Sequence, residues 1–425
     1  MTVPEEKNPW LRLARLSEDH EENKRLWNGY QKYLLKPNEE DYQRQMENPK
    51  FEEIEELSDT TIHAIQTEIQ DLPTKPGPFG EINIAADIQE IKMPLDLEGF
   101  YFAFRVWLKA IRFKSNLNLN YAHFSREVRF AGSVFEEDFS AWGTNFGSYS
   151  GFQDCVFNKW SCFHSAKFGW AHFHSANFED RCDFAQATFT NIASFMNSRF
   201  TDSGKFRDAK FHSTSYFDVA KASIPAVQLD FYGAKFINHP PYFFGREMHG
   251  NTDWTDVEWP SAKQPIEDDK RAYEQLRIKC GALGKVEDAH LFFRREMDLI
   301  GRLSPWYTRV TDWLYGLVSD YGHSFERPIV GLAGLWALWS ALYVLYFTSV
   351  DKLHLDMDGM DLALSIAGLS FANIFAVFGF HWRFPSDLLA DPGTDAILLT
   401  ASETLLGFVF LFFLGLGLRT RFRLR

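Results

Sequence analysis

Glu403 is the one ionisable side chain in an otherwise apolar run from 396 to 418. A carboxylate at such a depth is costly unless it meets water or partners, so it marks a functional position. It either faces an aqueous path, hydrogen-bonds a neighbouring apolar helix, or sits at an interface with the span starting after it. Gly407, Gly415 and Gly417 follow it and would bend the helix or let a neighbour pack closely. Asp351, Asp356, Asp358, Asp361, Asp387, Asp391 and Asp395 outnumber Lys352 and Arg383 around this region. They are either a ring that concentrates cations or ordinary solvated loops. No phosphate-binding loop, HExxH pair or nucleophile–base set occurs, so an enzyme is not expected. Cys155, Cys162, Cys182 and Cys280 form no CxxC pair and read as packing residues in a reduced setting. His164, His172 and His174 recur with no acid in register, so neither a metal nor any other cofactor is expected. With 57 acidic against 44 basic side chains and a net charge of -13, the chain is no generic binder of nucleic acid.

The elements that carry these residues follow from two patterns. Between residues 124 and 236 a phenylalanine returns every five or six positions, with a small residue two places ahead. Phe157, Phe163, Phe168, Phe173, Phe178, Phe184, Phe189, Phe195, Phe200, Phe206 and Phe211 belong to this series, preceded by residues such as Cys155, Ser161, Ala166 and Ala171. A period that is neither 3.6 nor 2 predicts a solenoid with those rings stacked inside. Around five turns at about 4.8 Å each make a rod near 25 Å long. The solenoid is placed at 91–240, opening with an irregular capping turn between 82 and 119. Residues 1–90 are polar and mainly helical, with Trp10, Leu13, Leu26, Trp27 and Tyr30 near helical spacing. The segment 71–80, with three prolines and two glycines, reads as a linker.

After the repeats, 261–303 reads as a helical hairpin (266–281 and 285–301) turning at Gly284, with Tyr273, Leu276 and Cys280 on one face. It is a spacer or a ligand-sensing element. Segment 304–327 interleaves Trp306, Tyr307, Trp313, Tyr315 and Tyr321 with Arg309 and Arg327, the composition of an amphipathic helix in a membrane interface. In 328–425, residues 328–350 and 396–418 are long enough to cross about 30 Å of hydrocarbon. The stretch 362–380 is apolar but broken by Ser365, Gly368, Ser370, Asn373 and Gly379. The N-terminal body has no export signal, and the final seven residues hold four arginines. Both ends are therefore expected in the cytoplasm of a multi-pass inner-membrane protein, which requires an even number of crossings. The middle stretch is then a re-entrant helix, dipping in and leaving on the outer side.

The small-x-Phe series resembles the pentapeptide-repeat family. That resemblance implies a right-handed β-helix in which four units make one square turn. The alternation of five and six residues departs from it and implies a bulge at a corner or face. Together with the helical N-terminal region, the hairpin and the membrane helices, the fold class is mixed. The hairpin residues Phe292, Arg294, Arg295 and Met297 resemble the element that follows repeats in membrane-attached members. The order span, re-entrant helix, span resembles the two-transmembrane ion-channel family. The latter implies a homo-oligomer, a tetramer, around one path for an inorganic cation, with membrane lipid outside. It places a filter at Ala376, Val377, Phe378, Gly379 and Phe380, with one glycine where a potassium filter has two. The expected function is a channel-like, cation-conducting protein whose cytosolic solenoid assembles, senses or binds a partner. The alternative is a non-conducting, membrane-anchored scaffold recruiting a cytosolic protein. The family resemblance also includes topoisomerase-directed DNA mimics with an acidic face, but this repeat region is not strongly acidic and the spans do not suit that role.

Overall fold

The structure, a computed structural model, describes residues 8–70, 81–83, 89–220, 225–260, 267–349, 359–379 and 394–423. The chain divides into two compact units, 1–289 and 290–425.

The first unit is a β-solenoid of about seven turns in which every strand pair is parallel and in register. One face stacks eight short strands. Leu95, Leu117, Phe139 and Ser161 occupy one register position, a 22-residue step each time. The turn is built from two tight five-residue corners and two wide six-residue corners. At the tight corners a residue in the left-handed region stands two places after the central ring, as at Asp154, Ser165, Ser175, Gln186, Asn197 and Asp208, all with φ between 55° and 58°. That conformation costs a non-glycine residue about 1–2 kcal/mol. It is the one a type II turn demands at its third position. The turn closes when the small residue's N–H bonds to the ring residue's carbonyl: Ala166 to Phe163 at 3.1 Å, Ala187 to Phe184 at 3.1 Å. Ala and Ser are selected because these positions are fully buried.

One turn is a residue short, since Ser161 pairs with Cys182. The lost residue belongs to the wide corner between Phe168 and Phe173, where Gly169 sits. A Cβ there would lie 2.4 Å from the Ser148 carbonyl oxygen, so only glycine fits this pinched corner.

The rings form four columns up the solenoid axis. Phe163 and Phe184 stack at 4.7 Å, Phe152 and Phe173 at 4.8 Å, Phe157 and Phe178 at 4.9 Å, and Phe168 and Phe189 at 5.0 Å. Planes within a column stay nearly parallel, whereas rings of different columns meet tilted or edge-on, as Phe163 and Phe168 do at 48° and Phe173 and Phe184 at 86°. Both geometries suit the ring quadrupole.

The solenoid is longer than the phenylalanine series. Regular coils already run through Ile91, Leu95, Leu97, Val106 and Leu108, where an irregular turn is expected. At the far end Trp254 stacks on Phe231 at 4.8 Å, and bridges reach Asp253 and Glu258, past the expected limit at 240. Other apolar residues fill the core positions there, which hides the period.

Helices cap the open edge. The unit begins with α1 (Pro9–Leu13), α2 (His20–Leu35), α3 (Glu39–Met46), α4 (Pro49–Glu52) and α5 (Asp59–Glu68). Tyr101 lies on a strand with no coil before it among the described residues, and α2 supplies the missing partners. The Trp27 indole donates to the Tyr101 carbonyl at 3.0 Å, and the Tyr101 N–H donates to Asn28 at 2.7 Å. An unpaired edge would otherwise invite another chain. At the far end α6 (Glu267–Ala282) covers the last coil. Its buried face places Tyr273 against Trp259 and Cys280 against Met248. Asp269, in the first turn of α6, accepts from the Tyr242 hydroxyl at 3.0 Å and faces His239 Nδ1 at 3.0 Å.

The second unit is helical. It receives most of α7 (Val286–Leu303), then holds α8 (Trp306–Ser319), α9 (Glu326–Ser349), α10 (Gly359–Ile374) and α11 (Thr394–Arg423). Two helical stretches, Glu326–Thr348 and Thr394–Arg419, are long and apolar enough to cross a membrane by length and composition. Between α8 and α9 the chain reverses through Asp320, Tyr321 and Gly322, all left-handed (φ 50°, 55° and 83°).

Replacing Phe178 with Ala removes a ring held between Phe157 and Phe200 and should lower the unfolding free energy by about 3–5 kcal/mol. Denaturant titration of the full-length protein, followed by far-ultraviolet circular dichroism, measures this. An unchanged midpoint would refute the load assigned to the columns.

Candidate functional site

The second unit is apolar almost throughout, so its polar side chains must find one another. α10 packs against both α9 and α11. Glu403, on α11, is completely buried where the three meet. Its Oε2 accepts from the Tyr343 hydroxyl of α9 at 2.7 Å and from Asn373 Nδ2 of α10 at 3.1 Å. The Ser370 hydroxyl of α10 bonds to Oε1. Asn373 also donates to the Tyr343 oxygen at 3.0 Å, which closes the network. Ser370 and Asn373 are three residues apart and therefore share one face of α10.

Further bonds tie the helices around this point. The Trp336 indole of α9 donates to the Ala367 carbonyl at 2.9 Å, and the Trp339 indole to the Leu399 carbonyl at 3.1 Å. Apolar layers flank the polar one. Tyr343, Phe347, Ile366 and Leu369 form one, and Leu332, Leu335 and Ile374 with Phe410 and Leu414 form the other. A carboxylate with three donors, enclosed by apolar layers, is a strong directional tie, because each partner would be costly to leave unpaired. Of the roles expected for Glu403, hydrogen bonding to the short helix is the one this geometry contains.

The expected filter residues fall elsewhere. Ala376–Phe378 is a single 3-10 turn continuing α10, ended by Gly379 at φ 76°. The Phe378 N–H donates to the Phe375 carbonyl and the Gly379 N–H to the Ala376 carbonyl, both at 2.9 Å. Two carbonyls are thus used locally, and Ala376–Phe378 is a tight turn rather than extended backbone. Val377 and Phe378 are exposed. Phe380 lies outside the described residues, as do Asp351, Asp356, Asp358, Asp387 and Asp391. Asp361 and Asp395 are exposed at the starts of α10 and α11.

The glycines separate. A Cβ on Gly407 would lie 2.9 Å from the Ile374 Cα, and one on Gly417 2.9 Å from the Ser324 carbonyl oxygen, so both serve close packing. A Cβ on Gly415 would meet nothing within 4 Å among the described residues, so close packing does not require glycine there. Two residues of this site escape sequence reasoning. A Cβ on Gly331 would strike the Phe410 ring at 2.2 Å, yet a glycine in an apolar helix does not say which neighbour it admits. Tyr343 is the other. An aromatic residue in an apolar helix gives no sign that its hydroxyl has an acidic partner sixty residues away.

On the solenoid, the eleven expected core phenylalanines are all buried inside the columns. Among the outward charges, Arg207 pairs with Asp230 at 2.5 Å, and Thr201 and Asn177 donate to Glu179. His164 packs on Trp142 with ring centres 4.2 Å apart. The four cysteines are buried free thiols, and burial pushes Cys155 and Cys280 up to about 12, which suits packing.

A family model described as pentapeptide repeats (nine copies) matches residues 163–210, the middle coils of the solenoid. No curated protein and no solved structure matches the chain.

Replacing Glu403 with Ala removes the acceptor of the Tyr343 hydroxyl and one of two acceptors each of Ser370 and Asn373, at about 1–3 kcal/mol for a group left unsatisfied. α10 should loosen, so a cysteine placed at Ala372, now buried, should react with maleimide faster by an order of magnitude or more. Gln at 403 should fall between, since it keeps one acceptor oxygen. Equal labelling in all three proteins would show that Glu403 holds nothing in place.

Proposed function

We propose that this chain is a membrane-anchored pentapeptide-repeat protein that assembles in several copies around a cation path, with its solenoid in the cytoplasm. The carrying observation is the tie from Glu403 to Tyr343, Ser370 and Asn373, which fixes a short helix between two long apolar ones. In this reading α9 and α11 cross the inner membrane and α10 enters and leaves from the outer side. At 16 residues, α10 is about 24 Å long, short of the roughly 30 Å a crossing needs. The outer surfaces of the long helices support a lipid environment, because only 17% and 11% of their most apolar windows are buried. Trp306, Tyr307, Val310, Trp313, Leu314 and Leu317 make one exposed stripe on α8, which suits a helix lying in the headgroup region. A second copy would cover the exposed Leu364 and Phe371 of α10 and Phe378 of the turn that follows it. Four copies follow from the channel resemblance. Asp361 and Asp395, repeated by symmetry, would gather cations at the outer mouth.

A second reading is a non-conducting scaffold whose solenoid faces recruit a protein. The locally bonded carbonyls of Phe375 and Ala376 favour it.

Purified protein in planar bilayers separates the two. The channel reading expects a cation current that Gly379→Ala alters, since the left-handed turn at 379 suits glycine. Silence under all voltages and ion gradients would leave the scaffold. Cysteines at 361 and 395 should both label from outside the cell. Opposite sides would show that α10 crosses.

A further inference from the structure

The joint between α7, α8 and α9 contains an arrangement that the membrane reading does not use. His290 of α7 and His323 of the α8–α9 turn lie ring on ring, centroids 3.8 Å apart and planes 31° apart. His290 Nε2 and His323 Nδ1 are both buried with no hydrogen-bond partner. Buried polar atoms of this kind require an explanation. The turn that carries His323 is the one reversed through three consecutive left-handed residues. Arg294 of α7 reaches its Asp320 at 3.3 Å, Arg327 of α9 lies 3.9 Å from the same carboxylate, and Tyr321 leans on Phe293. The groups acting on His290 are therefore His323 and Asp320 from the turn and Arg294 from its own helix.

We propose that the His290–His323 pair is a proton-operated catch: closed while the His290 imidazole is neutral, it releases the Asp320–Gly322 turn from α7 when His290 gains a proton. A cation on the half-buried His290 ring would face the His323 imidazole and Arg294, with Asp320 opposing the repulsion. Burial first, then His323 and Arg294, hold His290 down at about 4, below its ordinary 6.5. A group whose closed-state affinity for protons is lowered favours the closed form above 6.5 and loses that contribution as the pH falls towards 4. For one such histidine the open-to-closed ratio should rise ~30-fold between pH 8 and pH 5. The turn leads directly into α9, so its release would alter how that helix is held at one end.

Hydrogen exchange of the full-length protein in detergent, corrected for the pH dependence of intrinsic rates, tests the catch. Amides of 319–327 should lose protection ~30-fold between pH 8 and pH 5. His290→Phe keeps a ring against His323 but cannot ionise, and should reduce the loss to less than about threefold. His290→Gln should do the same and guards against a packing artefact. Unchanged protection in the native protein, or an undiminished loss in both variants, would overturn the proposal. The readout needs neither lipid bilayer nor current, so its failure leaves the membrane reading untouched.

Discussion

A ring can sit flat on the ring below it only if each coil repeats the backbone path of the last at the same height. That requirement organises the first unit. Its usual step is 22 residues, which sets Phe113, Phe135 and Phe157 directly above one another. Alternate corners must turn within one residue, which forces left-handed φ at Ser165, Gln186 and Asp208. The residue next to each of these is small because no volume remains there. Each stacked ring removes on the order of 150–250 Å² from water, enough at about 25 cal/mol per Å² to offset the strained corners. Stacking cannot close the ends, so Trp27 and Asn28 satisfy one edge and α6 covers the other.

The second unit solves a different problem. Helices that are apolar all round have little in their own composition to fix their rotation against one another. Here the position of α10 is specified by the polar layer at Glu403 and by missing side chains. Gly407 lets α11 approach the Ile374 backbone, and Gly331 accommodates the Phe410 ring. Tyr343, Ser370 and Asn373 each come from a defined face, so a rotation of any helix would break at least one bond.

Much of this is legible in the residues. The phenylalanine period announces the solenoid, and its alternation of five and six contains the 22-residue turn. The long apolar runs mark α9 and α11. What escapes has physical reasons. Coils around Leu95 and Trp254 use other apolar residues at the core positions, and burial does not distinguish them from phenylalanine. The end of α10 at Ile374 is not visible, because Phe375 to Gly379 continues the apolar run while changing to a tighter helix. Glu403 is singled out by its charge, but its hydroxyl and amide partners are common side chains at separations of thirty and sixty residues.

The two kinds of corner differ in what they tolerate. Among the described residues tight corners keep five residues, from Leu97–Phe102 to Phe231–Phe236, whereas wide ones accept five at Phe168–Phe173, six at most others and seven at Phe236–Phe243. The aromatic interior is therefore indifferent to small changes of chain length along two of its four ridges. Lineages of this solenoid can trim or lengthen those ridges, and so reshape the outer surface, while the stacked rings stay where they are.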